Sequence, residues 1–223
     1  MILLFLPRRV QRTLTLKRGD VPANCRVAVL EPSALSVPGW SHDPENPRKD
    51  RLVTGGEEYP VSELTAVITS LDAVTPFDLP DVQAEDRGFV ASEMTAFLRS
   101  WLQTLACPVL DPPTALALSG AADDRAVWSK AAAALAVADR QAIPTPVMRT
   151  HTVTVVAGQV IGPAPEPAAA TAVSLAQAAG VTAARLTLTD DAREPALCQA
   201  TPWWYAPSRP VLHALLAYAR RLS

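Results

Sequence analysis

Short runs of branched apolar residues alternate along this chain with stretches patterned at the helical period, and that alternation limits what it can fold into. "ILLFL" (2–6), "CRVAVLE" (25–31) and "LTAVITSL" (64–71) are short and rich in Val, Ile and Leu, so each is expected to be a buried strand. Further on, Val90, Met94, Phe97, Leu98, Trp101, Leu102 and Leu105 fall on one face at helical spacing, the stripe of a helix packed on a core. "CPVLDPP" (107–113) follows as a short strand ending in a turn. A second helix is expected over 123–140, opened by Asp123 and Asp124, whose carboxylates suit a helix N-terminus. It should end before "IPTP" (143–146), because proline disfavours helix in the residue before it.

The second half repeats the alternation with different pieces. "VMRTHTVTVVAGQVIG" (147–162) alternates and turns at Gly158-Gln159, as a hairpin does. "PEPAAATAVSLAQAAG" (165–180) reads as a helix, with Pro167 early and Gly180 just past its end. "ARLTLTDDAREPALCQA" (184–200) reads as strand, charged turn, strand, and "SRPVLHALLAYARRL" (208–222) as a closing amphipathic helix. Strands alternating with helices specify an α/β or α+β protein. Between Pro32 and Pro60 the chain makes a Pro-, Gly- and charge-rich excursion with one short strand at its end. His42, Asp43 and Glu45 lie there without the spacing of a metal site, so a solvated polar loop is expected.

Composition closes off several function classes. The chain has 223 residues, 49% of them hydrophobic, enough for one domain or two small ones. A net charge of −2 gives no reason to expect nucleic acid as a partner. No apolar run approaches the roughly 20 residues that span a bilayer, and the charges of "MILLFLPRRV" follow its apolar run where a signal peptide would place them first. No membrane partner is expected. Three cysteines far apart (Cys25, Cys107, Cys198), with no CxxC pair, suit reduced thiols in a cytoplasmic protein.

With these elements in order, the run from Gly88 to Pro146, containing "CPVLDPP", a helix carrying Lys130 and "AIPTP", resembles the N-terminal part of ATP-grasp ligases. "TVVAGQVIG", "AVSLAQAAGV", "ARLTLTDD" and "ALCQATPWW" resemble the C-terminal end of the same superfamily's core. The resemblance implies a pre-ATP-grasp-like α/β part over 1–146, followed by a reduced ATP-grasp-like α+β part, a truncated C-terminal-like subdomain, over 147–223. The family's small central subdomain, with two nucleotide-binding lysines, would belong between the two, where this chain joins them within a few residues of His151. Only Lys17, Lys49 and Lys130 are lysines.

The resemblance also places Gln199 where the family has a metal-binding Glu, Thr201 where it has Asn, and Leu186 or Thr187 where it has Asp. Magnesium wants charged or carbonyl oxygens, so no metal, no nucleotide cofactor and no catalytic residue are expected. The function that follows is a non-catalytic accessory or binding protein, partner to an enzyme of a peptide-modification or small-molecule pathway. Asp111, Lys130, Trp203, Trp204 and Tyr205 are its expected ligand-binding residues. Of the adjacent tryptophans one is expected in the core and one exposed as an interface anchor. Two alternatives stand beside it. A divergent ligase would use Arg185, Arg193, Arg209 and Asp190 or Asp191 in place of the family's groups. A small-molecule or peptide binder would use the residual cleft. Asp190 and Asp191 otherwise read as turn residues, and His213 as structural.

Overall fold

Four short apolar strands make the first sheet: β1 (Ile2–Phe5), β2 (Val27–Leu30), β5 (Ala66–Thr69) and β6 (Val109–Leu110), all parallel, in the order β2-β1-β5-β6. The computed structural model describes residues 1–5, 21, 26–140, 149–191 and 193–222. Parallel sheets are covered on their faces. Helix α1 (Arg87–Thr104) packs here, and its stripe joins the core as expected: Leu98, Trp101 and Leu102 are buried among Leu3, Leu30 and Val67. The excursion holds more structure than one strand. Strands β3 (Arg51–Thr54) and β4 (Glu57–Pro60) form a hairpin, because Gly55 (φ 62°) and Gly56 (φ 81°) take the two left-handed positions that a tight hairpin turn demands.

In the second half, β7 (Thr150–Val156), β8 (Gln159–Ile161), β9 (Ala183–Thr189) and β10 (Leu197–Pro202) form an antiparallel sheet in the order β10-β9-β7-β8. Helix α2 (Arg125–Ala134) and helix α3 (Glu166–Ala179) supply the apolar layer on one side. Trp128, Ala172 and Leu175 pack there with Val153, Val155, Leu186 and Leu188. Asp124 caps α2 by accepting a hydrogen bond from the Ala126 N–H at 2.9 Å, and Gly180 closes α3 at φ 66°. The second helix is shorter than expected. Ala136 turns left-handed (φ 55°), the Val137 N–H bonds back to the Ala132 carbonyl at 2.9 Å, and the chain leaves as an extended segment bridging Asp139 to Leu197. Helix α4 (Arg209–Leu222) ends the chain as expected.

Contacts divide the molecule into two units, Met1–Gly120 with Leu216–Ser223, and Ala121–Leu215. The basic stretch between β1 and β2, Cys25, and the proline-rich exit with the boundary expected at 146/147 lie outside the described residues. Among the described residues no helix is long and apolar enough to cross a membrane.

Candidate functional site

A strand buried on one side alternates its side chains, so the residues facing away from α2 and α3 can be read from the register. Thr152 and Thr154 of β7, Arg185 and Thr187 of β9, and Gln199 and Thr201 of β10 share that outer face. Gln199 stands opposite Thr187 and Thr187 opposite Thr152, while Thr201 stands opposite Arg185 and Arg185 opposite Thr154. The Thr152 and Thr187 hydroxyls lie 3.4 Å apart, which fixes both on the same side. Leu186 points into the apolar layer, so Thr187 is the residue on the outer face. Gln199 and Thr201 share that face by alternation, and a break in register between Leu197 and Gln199 lets Leu197 pack into the apolar layer while they face out.

This face is polar but carries no carboxylate. Its donor set is hydroxyls, one carboxamide and the Arg185 guanidinium. A Mg²⁺-nucleotide, which the family resemblance implies, needs anionic oxygens to offset the cost of dehydrating the cation. Four threonines and a glutamine beside an arginine do not supply them, and the residues present do not fit that group. Among the described residues no cluster of three His, Cys, Asp or Glu could hold a metal elsewhere.

The five residues singled out in the sequence fall in both units. Asp111 ends β6 in the first unit, 6% exposed and left-handed (φ 54°). It belongs to a polar layer at the carboxyl ends of the parallel strands, where Thr69, Ser70 and Ser119 are also buried and the Ser119 hydroxyl donates to Asp72. Such strand ends are where α/β sheets gather ligands. In the second unit Lys130 is exposed on α2. The expectation of one exposed tryptophan fails: Trp203 and Trp204 are 1% and 3% exposed. They sit in a single 3₁₀ turn after Pro202 and pack edge to face, centroids 5.8 Å apart. That pairing gives both rings a neighbour and removes either from the surface. Tyr205 is 50% exposed, and its hydroxyl donates to Asp123 at 2.9 Å.

Folding also makes a constellation that the sequence did not reveal. The side chain of His42 is only 6% exposed, so the expectation of a solvated loop is corrected here. Its Nδ1 lies 2.7 Å from Oδ2 of fully buried Asp50, and its Nε2 lies 3.2 Å from the Ser100 hydroxyl on α1. Asp50 also accepts from the Asp43 N–H at 2.8 Å, and Phe97 stacks edge-on to the imidazole at 5.6 Å. The order Ser–His–Asp matches a hydrolytic triad, but its setting does not. Ser100 lies inside a continuous helix whose own bonds use its amide, so no oxyanion donor comes from the nucleophile's backbone. The arrangement pins the excursion to α1. Eight residues separate His42 from Asp50, but Ser100 is fifty-eight away, a distance no local pattern reports.

Asp190 and Asp191 behave as turn residues. Asp190 bonds the His151 Nε2 at 2.7 Å, and Asp191 Oδ1 accepts the N–H groups of Arg193 (2.8 Å) and Glu194 (3.2 Å). Those two bonds hold the Asp191 carboxyl below the usual carboxylate range. Burial pushes the Cys107 and Cys198 thiols up, which keeps both protonated and poorly nucleophilic near neutrality.

No family model and no curated protein matches the chain. Solved structures do. The macrocyclase MdnC from Microcystis aeruginosa MRC, bound with precursor peptide MdnA, is similar at 11% identity and TM-score 0.75, covering 100% of both chains. A RiPP-associated ATP-grasp ligase from Chryseobacterium gregarium, in complex with ADP and a leader and core peptide, is similar at 8% identity and TM-score 0.66, covering 100% of this chain and 97% of that one. A RimK domain ATP-grasp protein from Sphaerobacter thermophilus is similar at 10% identity and TM-score 0.54, covering 100% of this chain and 99% of that one.

Proposed function

The chain has an ATP-grasp-like fold, and from that premise we propose that it is an accessory or binding protein that performs no ATP-dependent ligation. It works in the cytoplasm beside an enzyme of a peptide-modification pathway. The observation that carries the reading is the outer face of the antiparallel sheet, where Gln199, Thr187 and Thr201 stand beside Arg185 with no carboxylate among them. Chemistry on a nucleotide needs its cation held, and this donor set leaves the cation's charge unbalanced. The pathway is supported by the neighbours in fold, two of which were solved with precursor, leader or core peptides bound.

A divergent ligase would need Asp190 or Asp191 as substitute metal ligands. Both are already engaged, one by His151 and the other by backbone N–H groups, so nothing favours that reading. Of the five ligand-binding candidates, Lys130 is exposed on α2 and Tyr205 is half exposed with its hydroxyl bonded to Asp123, whereas Trp203 and Trp204 act through packing. The test is affinity purification of the tagged protein from its native host. Recovery of a peptide-modifying enzyme in near-equal amount is expected. Monomeric protein with no partner, combined with Mg²⁺-dependent nucleotide binding, would overturn the reading.

A further inference from the structure

The first unit contains a half-open cavity of about 570 Å³ at the amino ends of its parallel strands, the end opposite the polar layer of Asp111. Backbone bonds between elements set its walls. The 3₁₀ turns Pro47–Lys49 and Val61–Glu63 are tied through Asp50, whose N–H donates to the Pro47 carbonyl at 3.2 Å and whose carbonyl accepts from the Val61 N–H at 2.9 Å. The Val67 N–H donates to the Pro108 carbonyl at 2.9 Å, which fixes the segment after α1 beside β5. The last turn of α4 adds Leu222.

Most of this lining is apolar: Val61 and Leu64, both buried, with Leu105, Pro108 and Leu222. Cys107 also lines it, and burial keeps that thiol protonated near neutrality, so it adds no negative charge. Among the described residues of the wall, Arg48 alone is charged, and it is exposed. Asp50, which closes the first turn, and Glu63 of the second are engaged elsewhere, with His42 at 2.7 Å and Arg26 at 3.7 Å. No ion pair or side-chain hydrogen bond joins Arg48 to any described residue.

We propose that this cavity binds a small amphipathic carboxylate, an aliphatic chain lying along Val61, Leu64, Leu105 and Leu222 with its carboxylate at Arg48. The volume is that of a small-molecule site, roughly 300–1,000 Å³. A protein partner would instead need about 800 Å² on each side, which a concavity walled by two short turns, a loop and one helix end does not offer. One guanidinium matches one carboxylate through two parallel N–H donors, and the apolar walls are covered by the chain. A nucleotide would call for several cations or a nest of N–H groups around its phosphates. No residue of the outer sheet face takes part, so the inference stands apart from the accessory reading.

The test titrates decanoate into the full chain below its micellar concentration, with decanol and acetate as comparisons. Calorimetry gives the affinity, and iodoacetamide labelling of Cys107, read by peptide mapping, locates the ligand. Saturable binding of decanoate is expected, with slower labelling of Cys107 and no change at Cys198, which lies in the second unit. Decanol and acetate should each bind at least about tenfold more weakly, the scale of losing charge-assisted hydrogen bonds or the buried chain. R48Q and L222D should each weaken decanoate about tenfold, one by removing the cation and the other by setting a carboxylate in the apolar wall. K49Q removes an exposed cation beside the cavity and should bind like the wild type. All three side chains are exposed, so the variants should fold, which circular dichroism checks. Absence of saturable binding, decanol or acetate binding as tightly as decanoate, equal affinities in R48Q and K49Q, unchanged affinity in L222D, or undisturbed Cys107 labelling would overturn the assignment.

Discussion

His42 shows how much one side chain can hold. It joins Asp50 on the excursion to Ser100 on α1, and both of its ring nitrogens are engaged. Replacing it by alanine leaves a fully buried carboxylate short of a partner, and H42A is expected to lose about 1–3 kcal/mol of stability in urea unfolding. S100A removes only the weaker bond and should cost about 0.5–1.5 kcal/mol. If the three formed a hydrolytic site instead, S100A would abolish an esterase activity that the wild type must first display. The thiols give a second residue-scale test. Cys107 and Cys198 are raised by burial, so peptide mapping after iodoacetamide treatment at pH 7 should show both labelled more slowly than a free cysteine. A raised thiol adds stability that is complete below the unfolded-state value and is lost as pH climbs through the folded one. Asp191 works in the opposite direction. Its lowered carboxyl adds stability above the unfolded value that fades as pH falls through the folded one. D191N should therefore flatten the acid side of the stability profile.

Elements were legible in the sequence where the pattern is local. The α1 stripe, the α3 helix ended by Gly180 and the strand–turn–strand over β9 and β10 follow from period and turn chemistry, and the structure repeats them. Failures came where an end or a partner is set by tertiary contact. The helix expected to 140 stops at Ala134, because the following residues pair with β10. The β3–β4 hairpin had its signal in "TGGE", obscured by the prolines around it. The Ser100 partner of His42 had none. One glycine carries an element-scale prediction. Gly120 lies at φ 87°, and a Cβ there would sit 2.7 Å from the Cβ of Asp111 and 2.8 Å from its carbonyl oxygen. G120A should lower stability by about 2–3 kcal/mol, read by thermal or denaturant unfolding. The outer sheet face allows a gain-of-function test. T187D/Q199E places carboxylates on directly opposed positions of β9 and β10. Millimolar Mg²⁺ should raise the variant's midpoint by about 2–4 °C and leave the wild type unmoved.

At the scale of the whole molecule, the chain has an ATP-grasp-like fold, and the outer face of its antiparallel sheet carries neutral and cationic side chains. Fold does not fix function, and the proposed function rests on one sheet face. The order of strands and helices allowed the family resemblance to be drawn, and the likeness to solved structures gives the same fold. What the sequence could offer about the site was the identity of Gln199 and Thr201. That they share a face with Thr187 and Arg185, and not with Leu186, depends on the strand register. The decisive measurement is calorimetric titration of the folded protein with ATP and ADP, with and without Mg²⁺. A flat trace in all four titrations is the expected result. Micromolar, Mg²⁺-dependent binding would contradict the account and return the chain to the ligases.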